Sequence, residues 1–319
     1  MTTLEAAHPV RIGAAFWIQR TDWPSLRQAI LTAERGGAVT LWVDDHLLSD
    51  EGDEDDAKLE GWTTLSAAAA LTTKTRIGLL VAANTFRNPG LTAKLATTVD
   101  QISGGRSILG LGAGWFEREH EAFGLDFGSG FGERLDRLEE AVGIVRRLLA
   151  GERVDHDGPV YRLRDAICAP RPLQNPLPIM VGGSGPNKTL RTVARHAQLW
   201  NAYGTPETLA ASLTTLHERC AEVGRDPSEI EPTFTMNVVV RPTKAEAEAV
   251  WQTYMDIHRP TAWESRVTLG TPADVARSLV AYAEVGFRHP IFVFRSPWDL
   301  ETIEQLGAIR DELIGLTSV

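Results

Sequence analysis

The chain has 319 residues, 43% hydrophobic and 23% charged, a balance that suits a globular protein with a large core. A net charge of −10 opposes binding to nucleic acid or to an anionic membrane surface, both of which call for a basic face. Cys168 and Cys220 stand far apart and outside any C-x-x-C pair, which argues against a disulfide framework or a zinc ribbon. No apolar run approaches the roughly 20 residues of a membrane span, and the opening MTTLEAAHPVRIG lacks the apolar stretch of a secretory leader, so a cytoplasmic home is expected.

In chain order, residues 10–17 (VRIGAAFW) read as a first strand, and 24–35 as a helix stopped by Gly36 and Gly37. Thr40–Val43 (TLWV) is a second strand that runs into Asp44, Asp45 and His46, and 62–72 is helical. Residues 76–83 (RIGLLVAA) form a third strand, 91–102 a helix and 106–111 a fourth strand. Phe131–Leu149 is a long amphipathic helix with Leu135, Leu138, Val142, Val145 and Leu149 on one face. The rhythm then repeats, with strands at 178–181, 198–200, 233–240 and 290–294. Helices fall at 188–195, 206–223, 244–258, 273–285 and 299–314.

Eight strands, each followed by helical sequence and several apolar almost throughout, predict an α/β fold: a (β/α)8, TIM-type barrel with both faces of its sheet covered. No linker or low-complexity tract divides it, so residues 1–319 read as a single domain. Residues 151–177 are an insertion after the fourth strand, in which HDGP marks a hairpin turn between 153–154 and 160–163. A doubly wound sheet is the rival, but its nucleotide fingerprint near the start is missing.

The glycine-rich stretches fail the familiar phosphate motifs. From Gly110, G-x-G-x-x-G needs glycine where Trp115 stands; from Gly112 it needs one at Glu117. VGGSGPNKT (181–189) has Asn187 where a P-loop requires glycine. Both stretches nevertheless follow strands, at the end of a barrel where chemistry is kept. Gly182, Gly183, Ser184 and Gly185 precede a helix, so they form either an anion-binding turn or a plain βα turn.

Other polar residues fall at the same rim: Asp45 and His46 after the second strand, Asn84 after the third, Glu117, Arg118, Glu119 and His120 after the fourth, and Asn201 after the sixth. Singly, each could be a helix cap or a solvated loop residue; together they mark a site. His46 is the candidate acid or base, since imidazole exchanges a proton near neutral pH. The run DEGDEDDAKLE (50–60) lacks calcium-loop spacing and reads as a solvated loop or lid. No His, Cys and Asp cluster has metal-ligand spacing, so no metal is expected. Trp17, Trp42, Trp62, Trp115 and Trp200 lie near strand ends, where they serve the core or a flat aromatic ligand.

The segments TLWVDDH, RIGLLVAANTFRNPGLTAK, DQISGGRSILGLGAGWFEREHEAFG and FGERLDRLEEAVGIVRRL closely resemble the luciferase-like monooxygenase superfamily. Within it they look most like the actinobacterial branch of F420-dependent oxidoreductases. The resemblance runs from about residue 10 to residue 201 and more loosely to the end. It implies an enzyme that passes hydride between coenzyme F420 and a small organic substrate. The alternatives are an FMN-dependent monooxygenase using reduced flavin and oxygen, or a barrel that only binds the cofactor. It also implies a homodimer and a non-prolyl cis peptide at Leu80–Val81, whose bulge presses on one face of the cofactor ring. By the same mapping Asp45, Ala83, Ala113, Gly114 and Arg118 fall at cofactor-contact positions; Leu80 and Val81 at the bulge, and Asn84 and Asn201 at strand ends, join them as candidate cofactor-binding residues. Gly182, Gly183, Ser184 and Gly185 fall at the phosphate turn, and His46 beside the reactive ring carbon, oriented by Asp45 or a neighbour. Two departures stand out. The sugar-phosphate dehydrogenases of this superfamily carry a glutamate where Trp115 stands and a tryptophan where Asp50 stands, so their acid–base pair is not carried over. An F420 tail of glutamates would be repelled by residues 50–56 and is expected to leave past Arg87, Arg118 or Lys188.

Overall fold

The apolar runs become parallel strands because both of their faces are covered. The computed structural model describes residues 8–258 and 266–317; the leader reading bears in part on residues 1–7, outside that range. In chain order the strands are β1 (Gly13–Trp17), β2 (Thr40–Val43), β3 (Arg76–Leu79), β4 (Ala82–Ala83), β5 (Ser107–Gly112) and β6 (Val154–Asp157). They continue with β7 (Arg162–Ala166), β8 (Ile179–Gly182), β9 (Leu199–Ala202), β10 (Glu231–Val240), β11 (Val267–Gly270) and β12 (His289–Arg295). Every residue of β1, β10 and β12 is buried. The pairing runs β1–β2–β3–β5–β8–β9–β10–β12 and returns to β1, all parallel, closing an eight-strand barrel wrapped by helices.

Helix ends are set by side chains that the sequence supplies locally. Asp22 caps Trp23–Arg35 by accepting from the Ser25 amide at 2.8 Å. Glu60 caps Gly61–Leu71 through the Trp62 and Thr63 amides, and Asn88 caps Pro89–Ser103. Gly104, at φ 68°, ends that last helix in the left-handed conformation.

The third expected strand is interrupted where the resemblance placed its special bond. The Leu80–Val81 peptide is cis, β3 stops at Leu79, and β4 resumes the line against β5. The expected hairpin of the insertion is present as antiparallel β6 and β7. Two elements were not expected. β11 adds a ninth line outside the barrel, parallel to the second half of β10, and residues Glu117–Phe123 form a short helix directly after β5. The last expected helix is two, Leu300–Ile303 and Leu306–Thr317.

The barrel interior is packed rather than open. Ala15, Trp42, Leu80, Ile108, Met180 and Ile291 belong to one buried cluster within it. Gly78 makes room for Trp42, since a Cβ there would lie 2.6 Å from the indole. Trp42, Trp62 and Trp200 are therefore core residues; Trp17 and Trp115 remain for the barrel mouth.

Candidate active site

The strand C-termini open into a cavity of about 400 Å³. The ends of β2, β5, β8 and β9 and the Leu80–Val81 turn bring to it Asp45, His46, Leu80, Val81, Ala83, Ala113, Gly114, Gly182 through Gly185 and Asn201. Two expected residues lie off its lining. Asn84 is buried and donates to the Tyr161 hydroxyl at 3.0 Å, tying the strand end to the insertion. Arg118 is half-exposed and paired with Glu54.

The glycines of β5 serve the wall of this cavity. Gly110 and Gly112 are two residues apart and so face the same side of the strand. A Cβ at Gly112 would lie 2.6 Å from Val81 Cγ2, and one at Gly182 would lie 3.3 Å from both Val81 γ-carbons. Val81 thus fills space that ordinary side chains on β5 and β8 would occupy. Beyond it, Gly183 at φ 116° turns the chain, and Thr189 begins helix Thr189–His196 and also lines the cavity. The turn offers unshielded backbone at a helix N-terminus, chemistry that suits an anion.

Asp45 and His46 are neighbours in sequence but have different partners. Asp45 accepts from Arg87 at 2.6 and 2.9 Å and from the Ala83 amide at 3.0 Å. Burial pushes its carboxyl up to about 6 against the pull of Arg87. His46 is instead oriented by Glu119, so the neighbour and not Asp45 holds the ring. The Nδ1–Glu119 Oε1 distance is 3.0 Å, and Glu119 Oε2 accepts from the Leu47 amide at 2.8 Å. This assigns the proton to Nδ1 and leaves Nε2 toward the cavity. Burial alone would lower the imidazole pKa; the Glu119 hydrogen bond and the Asp50 and Glu119 carboxylates outweigh it and raise it. The ring also meets Trp115 edge-on, with centroids 5.4 Å apart, and Trp115 stacks on Phe116. Trp115 is 58% exposed, an indole presented at the mouth.

Glu119 is the acidic residue the sequence left undistinguished from Glu117. Only helical phase separates them: Glu119 and His120 lie three and four residues after Phe116, on the face turned inward, and both are buried. Asp50 also lines the cavity. Its side chain is 4% exposed, its Oδ2 lies 3.7 Å from His46 Nε2, and its buried Oδ1 has no hydrogen-bond partner among the described protein groups.

The acidic run is solvated at its tip but held by ion pairs at its ends. Glu51 is buried against Arg295, with distances of 2.6 to 2.9 Å. Asp56 pairs with Arg20, and Lys58 is buried with Asp44. Ion pairing anchors the loop at both ends, and Asp53, Glu54 and Asp55 stay on the surface. Arg87, Arg118 and Lys188, the expected path for an acidic tail, are paired with Asp45, Glu54 and Asp136.

Comparison with known proteins fits this architecture. A solved structure described as an F420-dependent secondary alcohol dehydrogenase in complex with an F420-acetone adduct superposes with a TM-score of 0.82 at 21% identity, covering 96% of this chain and 99% of that one, a likeness of fold. A phthiodiolone/phenolphthiodiolone dimycocerosates ketoreductase of Mycobacterium sp. (strain JLS) is 34% identical over 201 residues, 60% of this chain and 51% of the relative, so the match spans about half of that protein. An F420-dependent glucose-6-phosphate dehydrogenase of Microbacterium testaceum (strain StLB037) is 30% identical over 290 residues, 82% of this chain and 84% of the relative. Residues 6–263 match the family model described as luciferase-like monooxygenase. The chain belongs to the luciferase-like monooxygenase family.

Proposed function

We propose that the chain is an oxidoreductase that uses coenzyme F420 to exchange hydride with a carbonyl or carbinol carbon of a small substrate. The observation that carries this reading is the Glu119–His46 pair, a buried carboxylate holding an imidazole whose free nitrogen faces the cavity. The relatives support it, since a ketoreductase and an F420-dependent sugar-phosphate dehydrogenase both interconvert carbonyl and carbinol carbons.

The residues present fit the cofactor. Val81 and the glycines around it make a wall that a flat ring can lie against. Gly183, Ser184, Gly185 and Thr189 would hold its phosphate, and Ala83, Ala113 and Gly114 would border the ring. Bound there, the deazaflavin supplies a two-electron hydride carrier. His46 then acts on the substrate oxygen. In reduction its Nε2 proton goes to that oxygen, and in oxidation Nε2 takes the proton back, while Glu119 fixes the ring. A carbonyl reduction therefore needs His46 protonated, which its raised pKa favours. The homodimer and the cytoplasmic setting are part of the same proposal. Among the described residues, no helix is long and apolar enough to cross a membrane.

The test is titration of the purified protein with F420 and with FMN, followed by anaerobic turnover of ketones and secondary alcohols read from F420 absorbance. We expect F420 binding, and a loss of about 10²- to 10⁴-fold in kcat for His46→Ala. Tight FMN binding without F420 binding would favour the oxygen-using alternative, and unchanged turnover in His46→Ala would remove the residue from the chemistry. Sedimentation of the same sample reads the oligomeric state.

A further inference from the structure

Asp50 lines the cavity, and although Lys58 and His46 stand at ion-pair distance from it, neither gives it a hydrogen bond. Lys58 is committed to Asp44 and lies 3.8 Å from Asp50 Oδ1, beyond hydrogen-bond reach. His46 Nε2 lies 3.7 Å from Oδ2, also too far for a direct bond. Oδ1 has no donor among the described protein groups, although the side chain is nine-tenths buried and lines the cavity. Leaving a buried acceptor without a donor is costly, and a donor brought by a ligand would remove that cost. With Lys58 and His46 already beside it, this acceptor suits a neutral hydroxyl better than a second cationic donor.

We propose that Asp50 binds a hydroxyl group adjacent to the reacting carbon, so that the substrate is an α-hydroxy ketone, or the vicinal diol it becomes, carried on a flat apolar body. Oxygens on neighbouring carbons can meet both protein groups at once, the reacting oxygen at His46 Nε2 and its neighbour at Asp50, each at about 2.8 Å. Trp115, exposed beside His46, supplies the apolar wall for the rest of the molecule. The step balances without a new reagent. In reduction the carbonyl carbon receives hydride, the π pair moves to oxygen, and oxygen takes the Nε2 proton. Asp50 exchanges no proton; it holds the neighbouring O–H throughout. This substrate class rests on the hydride-transfer reading above.

The experiment compares 2-hydroxyacetophenone with acetophenone as probes for the F420-loaded wild type, Asp50→Ala and Asp50→Asn. The wild type should favour the hydroxy ketone in kcat/KM by about 10- to 100-fold, the discrimination expected from one charge-assisted hydrogen bond. Asp50→Ala should lose this preference, and Asp50→Asn, which keeps an oxygen acceptor, should retain part of it. Equal ratios in all three proteins would overturn the proposal, as would a wild type indifferent to the hydroxyl. Melting temperature and F420 titration of each variant separate a lost contact from a lost fold. If none of the three proteins binds F420, the hydride-transfer reading has failed by itself. Ligand-observed NMR of 1-phenyl-1,2-ethanediol against 1-phenylethanol on the protein alone then decides the role of Asp50. A diol preference that vanishes in Asp50→Ala supports it, and no preference refutes it.

Discussion

His46 works through a residue 73 positions away, and that dependence can be measured. Its pKa is raised by Glu119 and Asp50 against burial and against the nearby Lys58 charge. The folded value lies above the unfolded one, so the charged ring stabilises the fold below about pH 6.5, and this contribution is lost as pH rises through the folded pKa. Glu119→Gln removes the strongest raising group. The pH above which carbonyl reduction falls off should move downward, and kcat near neutrality should drop by about tenfold or more. A pH–rate profile of both proteins, with F420 affinity as control, checks this; a profile that keeps its position would mean that Glu119 only supports the helix. The sequence made His46 and Asp45 legible because they end a strand whose apolar run is unmistakable. It did not reveal which carboxylate serves which cation. Asp45 adjoins His46 yet pairs with Arg87, and Glu119 reaches His46 because a seven-residue helix turns it inward.

At the scale of elements, the clearest predictions concern strands whose two faces are both buried, because such runs carry no period to misread. Hence the eight staves could be read directly, and β11 could not, since Val267–Gly270 is only partly buried and lies outside the barrel; the hairpin, whose strands are mostly exposed, was legible from its turn instead. The anchoring of the acidic loop was not legible for a related reason. Composition counts its charges but not their partners, and Arg20, Lys58 and Arg295 come from distant segments. The close fit of β5 against Val81 offers a test of why glycines recur there. In Gly112→Ala the new methyl would lie 2.6 Å from Val81 Cγ2, and Val81 would have to move along the cavity wall. Overpacking of this kind costs about 1–3 kcal/mol. We expect a lower melting temperature together with F420 binding weakened about tenfold or more, read by fluorescence titration. Loss of stability with full F420 affinity would detach Val81 from the cofactor site.

The whole molecule has two unlike ends, and the division of labour between them is testable. The site groups cluster where the strands finish, whereas Thr40, Glu231 and His289 are the first residues of β2, β10 and β12 and meet at the opposite end. There His289 Nδ1 faces Glu231 Oε1 at 2.8 Å, its Nε2 faces Thr40 Oγ1 at 3.0 Å, and Arg11 closes on Glu231. Polar groups at this end of a barrel serve stability rather than chemistry. Burial pushes the Glu231 carboxyl up, but the His289 hydrogen bond and the charges of His289 and Arg11 hold it down at about 2. Its folded value lies below its unfolded one, so the stabilisation is complete above about pH 4.5 and is lost as pH falls toward 2. Glu231→Gln should therefore lower stability at neutral pH by about 3 kcal/mol, with urea midpoints converging on those of the wild type as the medium is acidified. Its kcat at pH 7, measured well below the melting temperature, should stay near the wild-type value, because no atom of this cluster lines the cavity. A stability difference that persists unchanged to low pH would show that shape rather than charge holds the lower end. A variant that folds normally but fails to bind F420 would show that the two ends of the barrel are coupled.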